Sequence, residues 1–462
     1  MAFHVSKIAI IGAGPCGLAA AKCLLAKQAF KSVVLYEQQP EPALGGIWLY
    51  TPEAPPPPPA PQTDPYHAPD APLPARNPGS KGEGPVYMTP MYDELHANIV
   101  GTLMQFNRGI AFPKDARVFP SREVIREYVV RYAQDVKHLI RFCREVVEVK
   151  GRMVDGIERW DLVAKSTVTG EEERDTYDAV VVANGHYSVP FVPNVKGITE
   201  FQQAHPNVIL HSKQYRSPKA YRDRTVMVVG NGPSGIDIAY QIRPYSKETY
   251  ISVRNPTHPE KLAHTGCTEV PEIVEFLPQV SGVRFKDGTT MENLDMVMYC
   301  TGFLFSYPFL PEIAPTMLKS GKCVYNIYQH IFSIDHPTLV FPALLMKVVP
   351  FPVAAAQSAV IAEVWANDLD LPLVDEMKIW SARLREERGE AMQALPAGAD
   401  GKYINEMHDW AKRSRNPGME PPYWDDELLW QRSVYVEAKL RFERDGCKAM
   451  SLEDLGFHYK KP

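Results

Sequence analysis

The sequence predicts an α/β fold made of two similar units, one inserted in the other, and three observations carry that prediction. Two glycine-rich loops, Gly12-Ala13-Gly14-Pro15-Cys16-Gly17 and Gly230-Asn231-Gly232-Pro233-Ser234-Gly235, each follow an apolar strand and open a helix. Two later apolar runs, Tyr177–Asn184 and Leu294–Thr301, each stop at a small polar residue followed by glycine, as buried central strands of parallel sheets do. The chain of 462 residues is long enough for two or three domains with sizeable cores.

In the first unit, Lys7–Ile11 reads as a strand, Leu18–Leu25 as a helix rich in good helix formers, and Ser32–Tyr36 as a second strand. The glycines of such a loop have separate tasks. The first makes the tight turn, the second lets backbone approach a pyrophosphate, and the third allows close packing of helix on strand. The helix N-terminus then faces the negative charge. The second strand runs into Glu37, about 20 residues past the last glycine, where a carboxylate accepts hydrogen bonds from ribose hydroxyls.

The second unit repeats this order with Thr225–Val229, the helix Ile236–Ile242 and the strand Glu248–Val253, but its second strand ends in Arg254. A guanidinium there matches a 2′-phosphate with bidentate hydrogen bonds, where a carboxylate would repel it. The same residue would also serve as a solvated strand end. The pair reads as FAD on Gly12, Ala13, Gly14, Pro15, Cys16, Gly17 and Glu37, and NADPH on Gly230, Asn231, Gly232, Pro233, Ser234, Gly235 and Arg254. The expected organisation is two dinucleotide-binding (Rossmann-like) domains with the NADPH domain inserted into the FAD domain. Residues 1–190 form the first part of the FAD domain, 191–320 the NADPH domain, and 321–462 the second part of the FAD domain with C-terminal helices.

Between these landmarks, the proline-dominated run Pro52–Pro90 predicts an extended, solvated surface loop. Helices are expected over Tyr92–Val100, Arg122–Leu139 and Ala354–Trp365, and strands at Val146–Val149 and Trp160–Ala164. The apolar run Thr338–Met346 is broken by Lys347, Pro350 and Pro352 before reaching the roughly 20 apolar residues of a membrane span. The net charge of −5 argues against nucleic acid as the main partner. Seven cysteines without a CxxC pair fit a reducing compartment, and the chain enters its first strand without a leader-like segment, so a cytoplasmic protein is expected. No metal cluster is expected.

Across nearly its whole length the chain resembles the flavin-containing monooxygenases, specifically their soluble fungal and yeast branch. The resemblance rests on both glycine loops together with Gly45-Gly46-Ile47-Trp48, Tyr92–Asn98, Asn184-Gly185-His186-Tyr187, His211–Tyr215 and Cys300-Thr301-Gly302-Phe303. It extends to Tyr325–His330 and to Val349-Pro350-Phe351-Pro352 with Gln357. It implies that NADPH reduces FAD, that reduced flavin captures O2 as a C4a-hydroperoxide, and that a soft nucleophile attacks the distal oxygen. The substrate class implied is a small thiol or sulfide first and an amine second, and a homodimer is the assembly common among similar proteins. By the same resemblance Asn98 is the catalytic side chain, touching the flavin edge and bound NADP+. Its amide can donate and accept without charge, though in isolation it reads as a helix-surface or capping residue. Gly46, Ile47 and Trp48 are expected along the FAD, with Trp48 equally suited to anchor the core. Gln357, at a helix start after the Pro-Phe-Pro turn, is expected near the flavin end. His211 and His186 read as linker hydrogen bonders ahead of proton-transfer groups. The family pattern before His211 is broken, since His205 and Asn207 stand where phenylalanine and glycine belong.

Four other readings compete. A Baeyer–Villiger enzyme would carry Trp-Pro where Tyr215-Arg216 stands, and an N-hydroxylating flavin monooxygenase would share the cofactors. A flavin disulfide reductase would need paired cysteines, which Cys16 and Cys23 do not supply. A non-catalytic flavin-binding protein would not need two intact nucleotide fingerprints.

Overall fold

A computed structural model describes residues 2–75 and 83–461. From the N-terminus, β1 (Lys7–Ile11), α1 (Pro15–Lys27) and β2 (Ser32–Tyr36) form the first unit. After the proline-rich run come α2 (Arg122–Tyr132), β3 (Ile140–Arg141), a meander of β4 (Arg144–Val154), β5 (Ile157–Ser166) and β6 (Glu172–Tyr177), and then β7 (Ala179–Val182). A connection with β8 (Val189–Pro190), α3 (Ile198–Ala204) and β9 (Ile209–His211) leads to β10 (Thr225–Val229), α4 (Pro233–Ile242), β11 (Glu248–Val253), α5 (Pro259–Thr265) and β12 (Thr268–Pro271). A small sheet of β13 (Ile273–Leu277), β14 (Gly282–Phe285) and β15 (Thr290–Met291) precedes β16 (Met296–Tyr299), and β17 (Phe303–Leu304) pairs antiparallel with β8. The chain finishes with α6 (Ala314–Met317), β18 (Ile327–Tyr328), β19 (Phe332–Ser333), β20 (Leu339–Val340), α7 (Pro350–Trp365), α8 (Val374–Arg388), α9 (Ala399–Ala411) and α10 (Asp426–Arg444).

The strand order explains the insertion. The larger sheet runs β18-β19-β20-β7-β1-β2-β3, so it takes strands from both ends of the chain, whereas the second sheet, β12-β11-β10-β16-β9, lies wholly between them in sequence. In the first sheet Ile11 is level with Tyr36 on one side and Val182 on the other; in the second, Val229 is level with Ser252 and Tyr299. Each glycine loop therefore leaves the carboxyl edge of a central parallel strand, where crevices form in open α/β sheets. The apolar residues of both central strands are buried on both faces, apart from half-buried Val229 at the mouth of the second loop, as parallel pairing between helices requires.

Several local expectations are corrected. Tyr92–Val100 is not helical but a sequence of turns, because its amides bond outward: Asp93 N–H to Arg216 O and Ala97 N–H to Pro120 O, each 2.8 Å. The helix from Arg122 stops at Tyr132, and four residues separate it from a 3-10 turn at Lys137–Leu139. Helix α7 begins at Pro350, not Ala354. Both prolines fall in its first turn, where a missing N–H removes no helical bond. The meander has a third strand, β6, whose charged sequence hid it.

The proline-rich run is also not simply solvated. Pro55, Pro58, Ala60, Gln62 and Pro65 are buried, and the run lies across the second unit. Gln62 bridges to Val192, Gln202 donates to Pro58 O at 2.9 Å, and Gln214 donates to Pro56 O at 3.1 Å. Lys213, itself buried, pairs with Asp70 and donates to Ser188 O. Residues 76–82 of that run lie outside the described residues. Among the described residues, no helix is long and apolar enough to cross a membrane, and no group of three His, Cys, Asp or Glu side chains could hold a metal ion.

Candidate functional site

Both glycine loops end in the same kind of helix start. Gly14 and Gly232 are the N-caps of α1 and α4, Pro15 and Pro233 follow at the first helical position, and neither cap has a side-chain hydrogen bond. No acidic residue sits in either first turn. The N–H groups of Cys16 and Gly17, and of Ser234 and Gly235, therefore point out of the helix ends without an intrahelical acceptor, ready for an anion.

The first loop is walled in. Residues Gly46–Trp48 form a 3-10 turn laid against it, with Gly46 at φ +58°. A Cβ on Gly46 would stand 2.8 Å from Gly14 Cα and 2.9 Å from Pro15 Cδ, so the two backbones pack with no room for a side chain. Trp48 rests edge-on against Phe351 at 6.4 Å and packs on the buried core around α1 and α7, which makes it an anchor for this turn. Ile47 lies half-buried between them. Glu37 is only 7 % exposed, and its two oxygens accept from Ala13 N–H at 2.8 Å and Gln39 N–H at 2.9 Å. Burial pushes its carboxyl pKa up, while those backbone bonds pull it down. Each oxygen keeps a further lone pair for a hydroxyl. Burial pushes the Cys16 thiol up to about 12, so Cys16 offers its N–H and no thiolate. Close glycine backbones, an uncapped helix end and a held carboxylate fit a dinucleotide.

The second loop is open. A Cβ on Gly232 would meet nothing within 4 Å among the described residues. Asn231 turns its amide away from the loop, donating to Asn255 O at 3.0 Å and Thr257 Oγ1 at 2.9 Å, which fixes the segment beside Arg254. Arg254 is 70 % exposed and gives its Nε–H to Glu272 at 2.6 Å. Its two Nη groups make no bond among the described residues, so the fork that a phosphate needs is available. These residues fit a second dinucleotide, with Glu272 as a neighbour that the sequence did not reveal.

Asn98 sits half-buried on the connecting segment between the two units. The backbone on either side is fixed, by Ala97 N–H to Pro120 O and Gly101 N–H to Val118 O at 2.9 Å, and its own amide makes no bond among the described residues. Gln357 differs from expectation. It lies in the interior of α7 rather than at a helix start and is fully buried, with Oε1 accepting from Ala343 N–H at 2.7 Å and Nε2 donating to Tyr403 Oη at 2.8 Å. Both ends of its amide are used within the protein.

The histidines hold or fill the connection. His211 is fully buried, donates from Nε2 to Gly302 O at 2.9 Å and accepts at Nδ1 from Lys213 N–H at 3.1 Å. Burial drives its pKa down to about 3. Among the described residues His186 does not form the linker bond expected of it: its Nε2 is buried without a partner there, and burial lowers its pKa to about 4. Thr301 instead secures the connection by donating to Phe191 O. Sequence reasoning missed Asp237, Tyr92 and Arg216, which link the units; a buried acid two residues past the second loop is the signal that could have found Asp237. Two cavities, about 490 and 390 Å³, lie near α8, α9 and the β18–β19 hairpin, and no residue of either glycine loop lines them.

Comparison with known proteins agrees with this arrangement. The model of the flavin-binding monooxygenase-like family matches residues 82–263 and 259–417, and that of an NAD(P)-binding Rossmann-like domain matches residues 10–55. The thiol-specific monooxygenase of Saccharomyces cerevisiae is 28 % identical over 457 residues, covering 94 % of this chain and 93 % of that protein. The flavin-containing monooxygenase iboF of Amanita muscaria is 29 % identical, covering 87 % and 84 %. The solved S-allyl-L-cysteine S-oxygenase of Allium sativum superposes with a TM-score of 0.77 over 99 % of this chain and 98 % of its own, at 23 % identity.

Proposed function

Because this chain belongs to the flavin-binding monooxygenase-like family, we propose that it is an FAD- and NADPH-dependent enzyme that places one oxygen atom of O2 on a soft heteroatom of a small molecule, sulfur before nitrogen. The observation that carries this reading is the pair of unlike loops: one closed by Gly46 and Glu37, the other open beside Arg254. Sulfur is placed first because the yeast relative, similar over nearly its whole length, is named a thiol-specific monooxygenase. The balance is substrate, O2, NADPH and a proton giving oxygenated substrate, NADP+ and water.

The bound flavin supplies the redox chemistry, accepting reducing equivalents from NADPH and passing them to O2. The chain's own residues bind and shield. Glu37 accepts from ribose hydroxyls, the N–H groups of Cys16 and Gly17 take the pyrophosphate, and Gly46, Ile47 and Trp48 form the wall along the FAD. Arg254 receives the 2′-phosphate through its Nη groups. Asn98, with a neutral donor and acceptor and an amide that makes no bond among the described residues, serves flavin and nicotinamide together. Gln357 acts at one remove, fixing the Ala343 backbone and Tyr403. We assign the limits 1–190, 191–320 and 321–462 to the FAD, NADPH and returning FAD segments. Seven cysteines free of disulfides fit a cytoplasmic setting.

The test is a panel of thiols, sulfides, amines and cyclic ketones, with oxygenated product measured alongside NADPH consumption. Sulfoxygenated product in proportion to NADPH is expected. Lactone from the ketone, or NADPH consumption with no oxygenated product from any thiol, sulfide or amine, would overturn the reading.

A further inference from the structure

The segment that carries Asn98 is tied at one end to each unit. At its N-terminal end, the Tyr92 hydroxyl donates to Asp237 Oδ2, and both residues are buried. The Tyr92 ring meets Tyr215 edge-on at 5.1 Å, and Asp93 N–H bonds to Arg216 O. At its C-terminal end, Ala97 and Gly101 bond to the Val118–Pro120 strand of chain that precedes α2. Asp237 stands on α4, the helix that opens at the second glycine loop, and its other oxygen accepts from Gln241 at 3.3 Å. A helix that would meet the second dinucleotide at its N-terminus is thus joined, within one side-chain contact, to the segment holding Asn98. Arg216 reinforces this end. Its buried guanidinium donates to the carbonyls of Glu53, Lys213, Tyr215 and Thr89 at 2.8–3.1 Å, clasping both ends of the proline-rich run to the second unit.

We propose that Tyr92 and Asp237 are a positioning pair that registers the Asn98 segment against the second nucleotide loop, so that Asn98 and a dinucleotide seated there hold one geometry. This rests on the reading that Asn98 touches both cofactors. A buried phenol–carboxylate bond is directional and loses strength steeply with displacement, which suits a fixed register. Asp237 lies one turn into the helix that the loop opens, so a shift of that helix moves the loop and Asp237 together.

Tyr92→Phe keeps the ring against Tyr215 and removes only the hydroxyl. In flavin-free protein, amide hydrogen exchange over residues 93–100 should rise about tenfold while exchange in α1 stays unchanged. In the holoenzyme, flavin content should hold, the KM for NADPH should rise less than about threefold, and oxygenated product per NADPH should fall about fivefold or more, the balance appearing as hydrogen peroxide. Asp237→Asn retains an acceptor for the phenol and should lose less coupling than Tyr92→Phe. In the double variant with Asn98→Ser, coupling should be no worse than in Asn98→Ser alone. Wild-type coupling in Tyr92→Phe, or a coupling loss matched by an equal loss of flavin, would overturn the positioning role. If Asn98→Ser uncouples and Tyr92→Phe does not, the reading of Asn98 stands and the pair falls; if Asn98→Ser remains coupled, both fall.

Discussion

The two glycine loops are alike in backbone and unlike in surroundings. Around the first, the Gly46 turn, buried Glu37 and helix α7 leave no freedom: the residues that would grip a cofactor are already bonded to one another. Around the second, Gly232 faces open space and Arg254 extends into solvent with one exchangeable partner, Glu272. Such unlike surroundings would let one chain keep one dinucleotide and exchange another. A walled site with preset donors loses little on binding and releases slowly, whereas an open loop with an exposed guanidinium must recruit its ligand each time.

Gly46 is the position at which the first loop is most sensitive to change. Gly46→Ala forces a methyl against Gly14 and Pro15 at a left-handed backbone, and overpacking of this kind costs about 1–3 kcal/mol. Since the strain falls on both walls of the first site, the purified variant should be nearly colourless, with about a tenth or less of the wild-type flavin by absorbance.

Next in size is Arg254→Ala, which removes charge-assisted bonds of about 1.5–3 kcal/mol and should raise the KM for NADPH about ten- to a hundredfold. NADH kinetics and flavin content should not move. An unchanged preference between the two nucleotides would remove the role assigned to the arginine.

Acid should expose the joint between the regions. His211 is held neutral with a pKa near 3, against an ordinary value of 6.5. As pH falls below that ordinary value, the unfolded chain takes up a proton that the native state refuses. Stability present above pH 6.5 is therefore lost, by about 1.4 kcal/mol per pH unit for each such group, until the native histidine itself protonates. His186 and His330, both lowered to about 4, add to the slope. Melting temperature measured between pH 6.5 and 5 should fall in the wild type and fall less steeply in His211→Gln.

The smallest effect is expected at Gly232→Ala. With nothing near the added methyl and φ at −70°, the free protein should tolerate it, and only the NADPH KM should rise, about two- to threefold. If this change stripped flavin, the two regions would not be the separate sites described.

What the sequence makes legible follows from range. Strand, loop, helix and terminal acid or arginine are local patterns, so both units and their order could be read directly, as could Glu37 and Arg254 at their strand ends. What required the fold was everything set by partners distant in sequence. Tyr92–Val100 carries helix-compatible residues, yet its amides are claimed by Arg216 and Pro120. The prolines of the 52–90 run exclude regular structure but say nothing of Gln202 and Gln214, which seat that run on the second unit. Gln357 was expected near the flavin, and only the position of Ala343 and Tyr403 shows where its amide goes. Asp237 is one polar residue in a helix by sequence, and only the fold brings Tyr92 to it.

The most direct test of the difference between the loops is to load the purified enzyme with FAD and NADP+, pass it through a desalting column, and measure both nucleotides in the protein fraction. The arrangement predicts about one FAD per chain retained and NADP+ largely lost. Loss of both together, or retention of NADP+ by a protein that has shed its flavin, would contradict it.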